Sequence, residues 1–188
     1  MMNLPIKLAL SVLIGSTFGL GSASYMTSDS SGFFASKLGH WYSWPVTSGS
    51  DSNPYVLARY ISNGHLPEHF SEVLSFYRTH DDDGNRLSED CTYVLSMKRP
   101  SARRWSVSAT VGATDAAETF LKDTVISRAG IVEISISATP QPGNWLAISD
   151  DDNPVILFRM YDSDSIAANA QGDNQQLELP SITLGDCS

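Results

Sequence analysis

Three stretches of the chain alternate apolar with small polar residues: Cys91-Thr-Tyr-Val-Leu-Ser-Met97, Trp105-Ser-Val-Ser-Ala-Thr-Val111 and Val132-Glu-Ile-Ser-Ile-Ser137. A two-residue period sends every second side chain to the same face, so each stretch predicts a β-strand with one dry and one wet side. Val155-Ile-Leu-Phe-Arg-Met-Tyr161 is apolar at consecutive positions and predicts a strand covered on both faces. Residues 70 to 79 read as a further strand, with Cys91 to Met97 as its hairpin partner across an Asp-Gly turn at Asp83-Gly84. Leu177-Glu-Leu179 and Ile182-Thr-Leu184 bracket Pro180, whose missing N–H predicts a last strand at a sheet edge.

Helix signals are few. Asn53-Pro54 predicts a start, because the Asn side chain caps free N–H groups and Pro fits the first helical position. That helix is expected to stop at Asn63-Gly64, and Thr114 to Glu118 predicts a second, short one. The aromatic residues Phe33, Phe34, Trp41, Tyr42 and Trp44 are expected to line the base of the core.

The front of the chain has a different pattern. From Leu4 to Tyr25 the only charge is Lys7, which predicts a helix long enough to cross a bilayer, or a secretory signal cut after Ala23. Ser11, Gly15, Gly19 and Ala23 recur every four residues, a small-residue stripe that suits packing of membrane helices. Residues 1–26 are therefore read as an anchor or signal and residues 27–188 as the folded domain. Lys7 and the N-terminal amine hold the front inside, which puts the body outside the cytoplasm by either reading.

Charge narrows the partners. With 12 basic and 21 acidic residues the net charge is -9, so no nucleic acid partner is expected, since phosphate binding needs the opposite sign. The acidic runs Asp81-Asp82-Asp83 and Asp150-Asp151-Asp152 read as solvated turns. The two cysteines, Cys91 and Cys187, would close a long loop if paired, and pairing requires an oxidising compartment.

Candidate chemistry is sparse. His65-Leu-Pro-Glu-His69 matches H-x-x-E-H, but Pro67 keeps the two imidazoles off one helical face, so no metal is expected. Asp81, Asp83 and Gly84 fall at calcium-loop positions without the flanking helices or terminal Glu that such a loop needs. No phosphate loop or G-x-S-x-G is present, and no cofactor is expected. Trp105 and Trp145 are candidate stacking surfaces for a small polar or sugar-like ligand, with burial in the core as the other reading.

Arg104-Trp105-Ser-Val-Ser, Pro142-Gly-Asn-Trp-Leu146 and Phe158-Arg-Met-Tyr-Asp162 resemble the core of the bacterial family called domain of unknown function 1214. Upstream, Gly19-Leu-Gly-Ser-Ala23, Trp44-Pro45, Asn53-Pro-Tyr55, His65-Leu-Pro67 and Asp82-Asp-Gly84 are similar to its short, membrane-associated members. The resemblance implies an all-β fold, a β-sandwich of jelly-roll type, in the envelope of Gram-negative bacteria, and implies no activity. The expectation is a non-catalytic protein, single-pass in the inner membrane, whose periplasmic sandwich binds another protein or a second copy. A small-ligand module and an envelope hydrolase using Asp and His are the alternatives.

Overall fold

Alternating strands bury one face each, so they need a second layer to bury it against, and two packed sheets supply that layer. The computed structural model describes residues 4–27, 34–44, 53–62, 68–69, 71–110, 130–148, 154–163 and 177–187. Helix α1 (Leu4–Thr27) leads into the short strands β1 (Ser36–Leu38) and β2 (Trp41–Ser43) and then helix α2 (Pro54–Ser62). Seven strands follow: β3 (Val73–Arg78), β4 (Cys91–Lys98), β5 (Ala102–Thr110), β6 (Ile131–Ser137), β7 (Trp145–Ala147), β8 (Val155–Ser163) and β9 (Ser181–Cys187).

One sheet has the order β1-β2-β3-β8-β5 and the other β7-β6-β4-β9. Every pairing is antiparallel except β6 with β7. The core lies between the layers. Phe76, Val107, Ile156, Phe158 and Met160 enter from the larger sheet and Tyr93, Leu95, Ile134, Ile136 and Ile182 from the smaller. Burying each of the large aliphatic side chains contributes about 1.5–3 kcal/mol. Of the described aromatic residues expected to line the base of the core, Trp41 enters it, Trp44 and the partly buried Tyr42 pack instead in a separate cluster under α2, and Phe34 is exposed, stacked on Tyr55.

β8 is buried on both faces, because Ile156, Phe158 and Met160 point between the sheets while Leu157 on the opposite face is fully covered as well. β9 closes the smaller sheet at its edge, directly after Pro180. α2 starts where the Asn-Pro pair placed it; Asn63-Gly64, Thr114 to Glu118, Phe33 and Asp150 to Asp152 lie outside the described residues.

Two expectations are corrected. β3 and β4 are not a hairpin: β3 pairs with β2 and β8, whereas β4 pairs with β6 and β9 in the other sheet. The connection between them crosses from one layer to the other, and Gly84, at φ 85, sits in a tight turn within it whose flanks pair antiparallel at His80 and Arg86 before the chain reaches β4. The run Asp81-Asp82-Asp83 is not simply solvated either. Asp81 is 1% exposed, and its carboxylate accepts from the Asn85 backbone N–H at 2.7 Å and from Asn85 Nδ2 at 3.2 Å.

Arg78, the last residue of β3, is buried as well, with its guanidinium at the end of the core under Trp41. Its Nε donates to the His80 carbonyl at 2.6 Å, Nη1 to the Pro180 carbonyl at 3.4 Å, and Nη2 pairs with Asp82 at 2.5 Å. Trp41 Nε1 donates to the same Pro180 carbonyl at 2.8 Å. A buried guanidinium has to be surrounded by acceptors. Here the connection after β3 and the entry to β9 fold back to provide them.

Candidate functional site

α2 and the outer face of the larger sheet enclose a second, smaller cluster. Asn53 Oδ1 caps the helix, accepting from the backbone N–H groups of Tyr55 at 3.0 Å and Val56 at 3.4 Å. The helix then turns Val56, Arg59 and Tyr60 inward, onto Trp44, Tyr42 and Tyr77. The Arg59 guanidinium lies 3.9 Å over the Trp44 ring, and Tyr77 meets that ring edge-on at 5.5 Å. Tyr60 donates its hydroxyl to the Trp44 carbonyl at 3.0 Å.

The sheet contributes polar groups to the same face. Arg159, in the middle of β8, stands opposite Ser75 of β3 and Ser106 of β5. Burial pushes the Tyr60 hydroxyl well above the usual phenol range, and its neighbour and hydrogen-bond partner Tyr77 adds to the shift. Burial also pushes Tyr77 up, while the Tyr60 hydrogen bond and the charges of Arg159 and Arg59 pull it the other way. Both hydroxyls therefore stay protonated at neutral pH and act as hydrogen-bond donors, not as bases. Ser106 is buried, and its Oγ has no hydrogen-bond partner among the described residues. Two guanidinium groups and two neutral phenols in one desolvated place suit an anionic oxygen better than a cation.

The residues singled out in the sequence are spread over other places. Ser11, Gly15, Gly19 and Ala23 lie on α1, where a Cβ added at Gly15 or Gly19 would meet nothing within 4 Å. Cys91 and Cys187 face each other across β4 and β9 and are joined by a disulfide, with Cα atoms 4.0 Å apart. Trp105 is half-buried against the main core, opposite Met160. Trp145 is half-buried on the edge strand β7, and its Nε1 donates to Ser137 O at 3.1 Å and to Ser137 Oγ at 3.2 Å.

His65 lies outside the described residues, and His69 is engaged with Ser71 Oγ at 2.6 Å. No group of three or more His, Cys, Asp or Glu side chains arranged to hold a metal occurs among the described residues.

Sequence reasoning missed the α2 cluster because its members are spread over about a hundred residues, and each reads as an ordinary amphipathic position. One signal was available. Arg159 interrupts a strand that is otherwise apolar on both faces, and a charge there needs polar company from neighbouring strands.

The family described as "Protein of unknown function (DUF1214)" matches residues 72–165, which run from the start of β3 to just past the end of β8. No curated protein matches the chain. The VPA0106 protein from Vibrio parahaemolyticus has a similar fold, with a TM-score of 0.56 and 19% identity, over 99% of this chain and 47% of its own. An uncharacterized protein from Burkholderia cenocepacia is similar with a TM-score of 0.50 and 19% identity, over 92% of this chain and 42% of its own. The chain thus spans about half the length of the solved structures it matches, and at this identity the likeness shows the fold alone.

Proposed function

Because this chain belongs to the DUF1214 family, whose description assigns no activity, we propose a function from its geometry: a non-catalytic envelope protein tethered in the inner membrane. Helix α1 crosses the bilayer once, and the periplasmic sandwich assembles with another protein or with a second copy. In this reading the chain is one of the short, membrane-associated members of the family.

The observation that carries the proposal is α1. Its 24 residues extend about 36 Å, enough for a hydrocarbon core of about 30 Å. It is apolar around its circumference, and only Ala23, Met26 and Thr27, at its end, are partly covered. The Cys91–Cys187 bond supports an oxidising compartment on the body's side of the membrane. The Ser11, Gly15, Gly19 and Ala23 stripe, open at Ser11, Gly15 and Gly19, supports pairing of two such helices.

The test is alkaline carbonate extraction of membranes together with the intact mass of the mature protein. The proposal expects a membrane-retained chain that keeps α1 and lacks two thiol hydrogens. A mature chain starting after Ala23 makes α1 a cleaved signal and ends the tether. A detergent-solubilised chain that stays monomeric and crosslinks to nothing removes the assembly role.

A second reading is favoured by the buried Ser106 hydroxyl: a small polar or anionic ligand bound beside Arg159, Tyr77 and Tyr60. A thermal midpoint unmoved across a panel of organic acids, phosphates and sugars removes it.

A further inference from the structure

Beyond the end of α1, the body shows an apolar surface where a water-soluble domain ordinarily shows charge. α2 buries Val56, Arg59 and Tyr60, and its exposed positions are Pro54, Tyr55, Ala58, Ile61 and Ser62. None of these is charged. The outward face of a surface helix is normally where its charges collect. In α2 the one charged residue, Arg59, is instead turned inward over Trp44.

The face carries large apolar side chains. Ile61 is 69% exposed and Tyr55 38%, and Phe34, 46% exposed, stacks on Tyr55 with ring centroids 5.7 Å apart. α1 packs its end against α2, and Tyr25 in that last turn is 59% exposed. Outside α1 and this patch, the large apolar side chains comparably exposed among the described residues are Leu38, Ile131 and Leu184.

Charge is distributed in the same sense. Residues 1–62 hold three basic and two acidic side chains, whereas residues 63–188 hold nine basic and nineteen acidic ones. The whole net negative charge therefore lies beyond α2. An anionic lipid surface repels that part of the molecule and tolerates this one.

We infer that the exposed face of α2, with Phe34 and Tyr25, is a docking surface for the lipid interface of the leaflet from which α1 emerges. Aromatic and aliphatic side chains on a charge-free face are the chemistry of the headgroup level. The sandwich then lies against the bilayer instead of hanging on a free tether. This rests on the proposal that α1 crosses the membrane.

The test uses the full chain in phospholipid nanodiscs, with Ile61→Trp and Tyr55→Trp as reporters and Leu184→Trp as the control on the smaller sheet. The discs contain lipids brominated near the headgroup end of their acyl chains, which quench only tryptophans that reach that depth. Emission added by either reporter, relative to the parent chain, is expected to fall at least twofold, while that added by Leu184→Trp stays unchanged. Adding Ile61→Asp to the Tyr55→Trp chain is expected to restore its emission without releasing α1 from the disc.

Unquenched reporters in a chain that still incorporates and resists carbonate overturn the docking surface and leave the tether standing. A chain that fails to incorporate overturns both. Unquenched reporters accompanied by crosslinks between Tyr55 or Ile61 of two copies identify the face as a self-interface and overturn lipid docking.

Discussion

Replacing Arg78 with methionine tests whether the buried guanidinium holds the two sheets together at their end. The side chain is 1% exposed and bonds to the His80 carbonyl, the Pro180 carbonyl and the Asp82 carboxylate. Removing one partner of a buried ion pair costs about 3–5 kcal/mol when the other charge stays dry. Asp82 is 34% exposed and can recover water, which lowers the cost, and Pro180 keeps its bond from Trp41 Nε1. The His80 carbonyl loses its guanidinium bond, and the methionine still fills the stem's space under Trp41.

The expected loss is about 3 kcal/mol, a fall of about 6–12 °C in the thermal midpoint for a chain of this size. Urea unfolding of the oxidised full chain in mild detergent, followed by tryptophan emission, measures it. A double-mutant cycle with Asp82→Ala should assign about 1 kcal/mol to the pair itself, because Asp82 is partly solvated. A loss under 1 kcal/mol for Arg78→Met, or one equal to that of Asp82→Ala alone, would refute the account, since the backbone carbonyls would then be carrying nothing.

The other predictions concern the staple, the phenols and the helix cap. Cys187→Ser should lower stability by up to about 4–5 kcal/mol, the chain-entropy value for a loop of this length, and the parent treated with reductant should match the variant in the same urea titration. Tyr60 and Tyr77 have raised folded pKa values, so they cost nothing while both states are protonated. Above about pH 10 the unfolded phenols ionise first and stability falls by up to about 1.4 kcal/mol per pH unit for each. Urea midpoints of Tyr60→Phe and Tyr77→Phe chains between pH 9 and 11, within about one unit of that onset, should decline less steeply than the parent's. Asn53→Ala removes the cap from Tyr55 and Val56 and should cost about 1 kcal/mol, with Asn53→Asp restoring most of it.

Much of the fold is local, and so it is legible along the chain. The two-residue period of Cys91 to Met97, the consecutive apolar run of Val155 to Tyr161, the Asn53-Pro54 start and the edge strand after Pro180 all depend on a residue and its near neighbours. The apolar front and the two cysteines are equally plain in the sequence, and the structure adds that the sulfurs meet across a strand pair.

Partnership between distant segments is another matter. β3 does not turn back on β4 but pairs with β2 and β8, and Arg78 at its end meets three acceptors, two from the connection that follows it and one from distant Pro180. The same holds for Asp81, Arg159 and Tyr60, which the sequence presents as separate polar residues. Periodicity tells a side chain which way to point. Only the packed layers decide what it meets there, because the free energy of a buried charge or hydroxyl is set by neighbours that arrive from far along the chain.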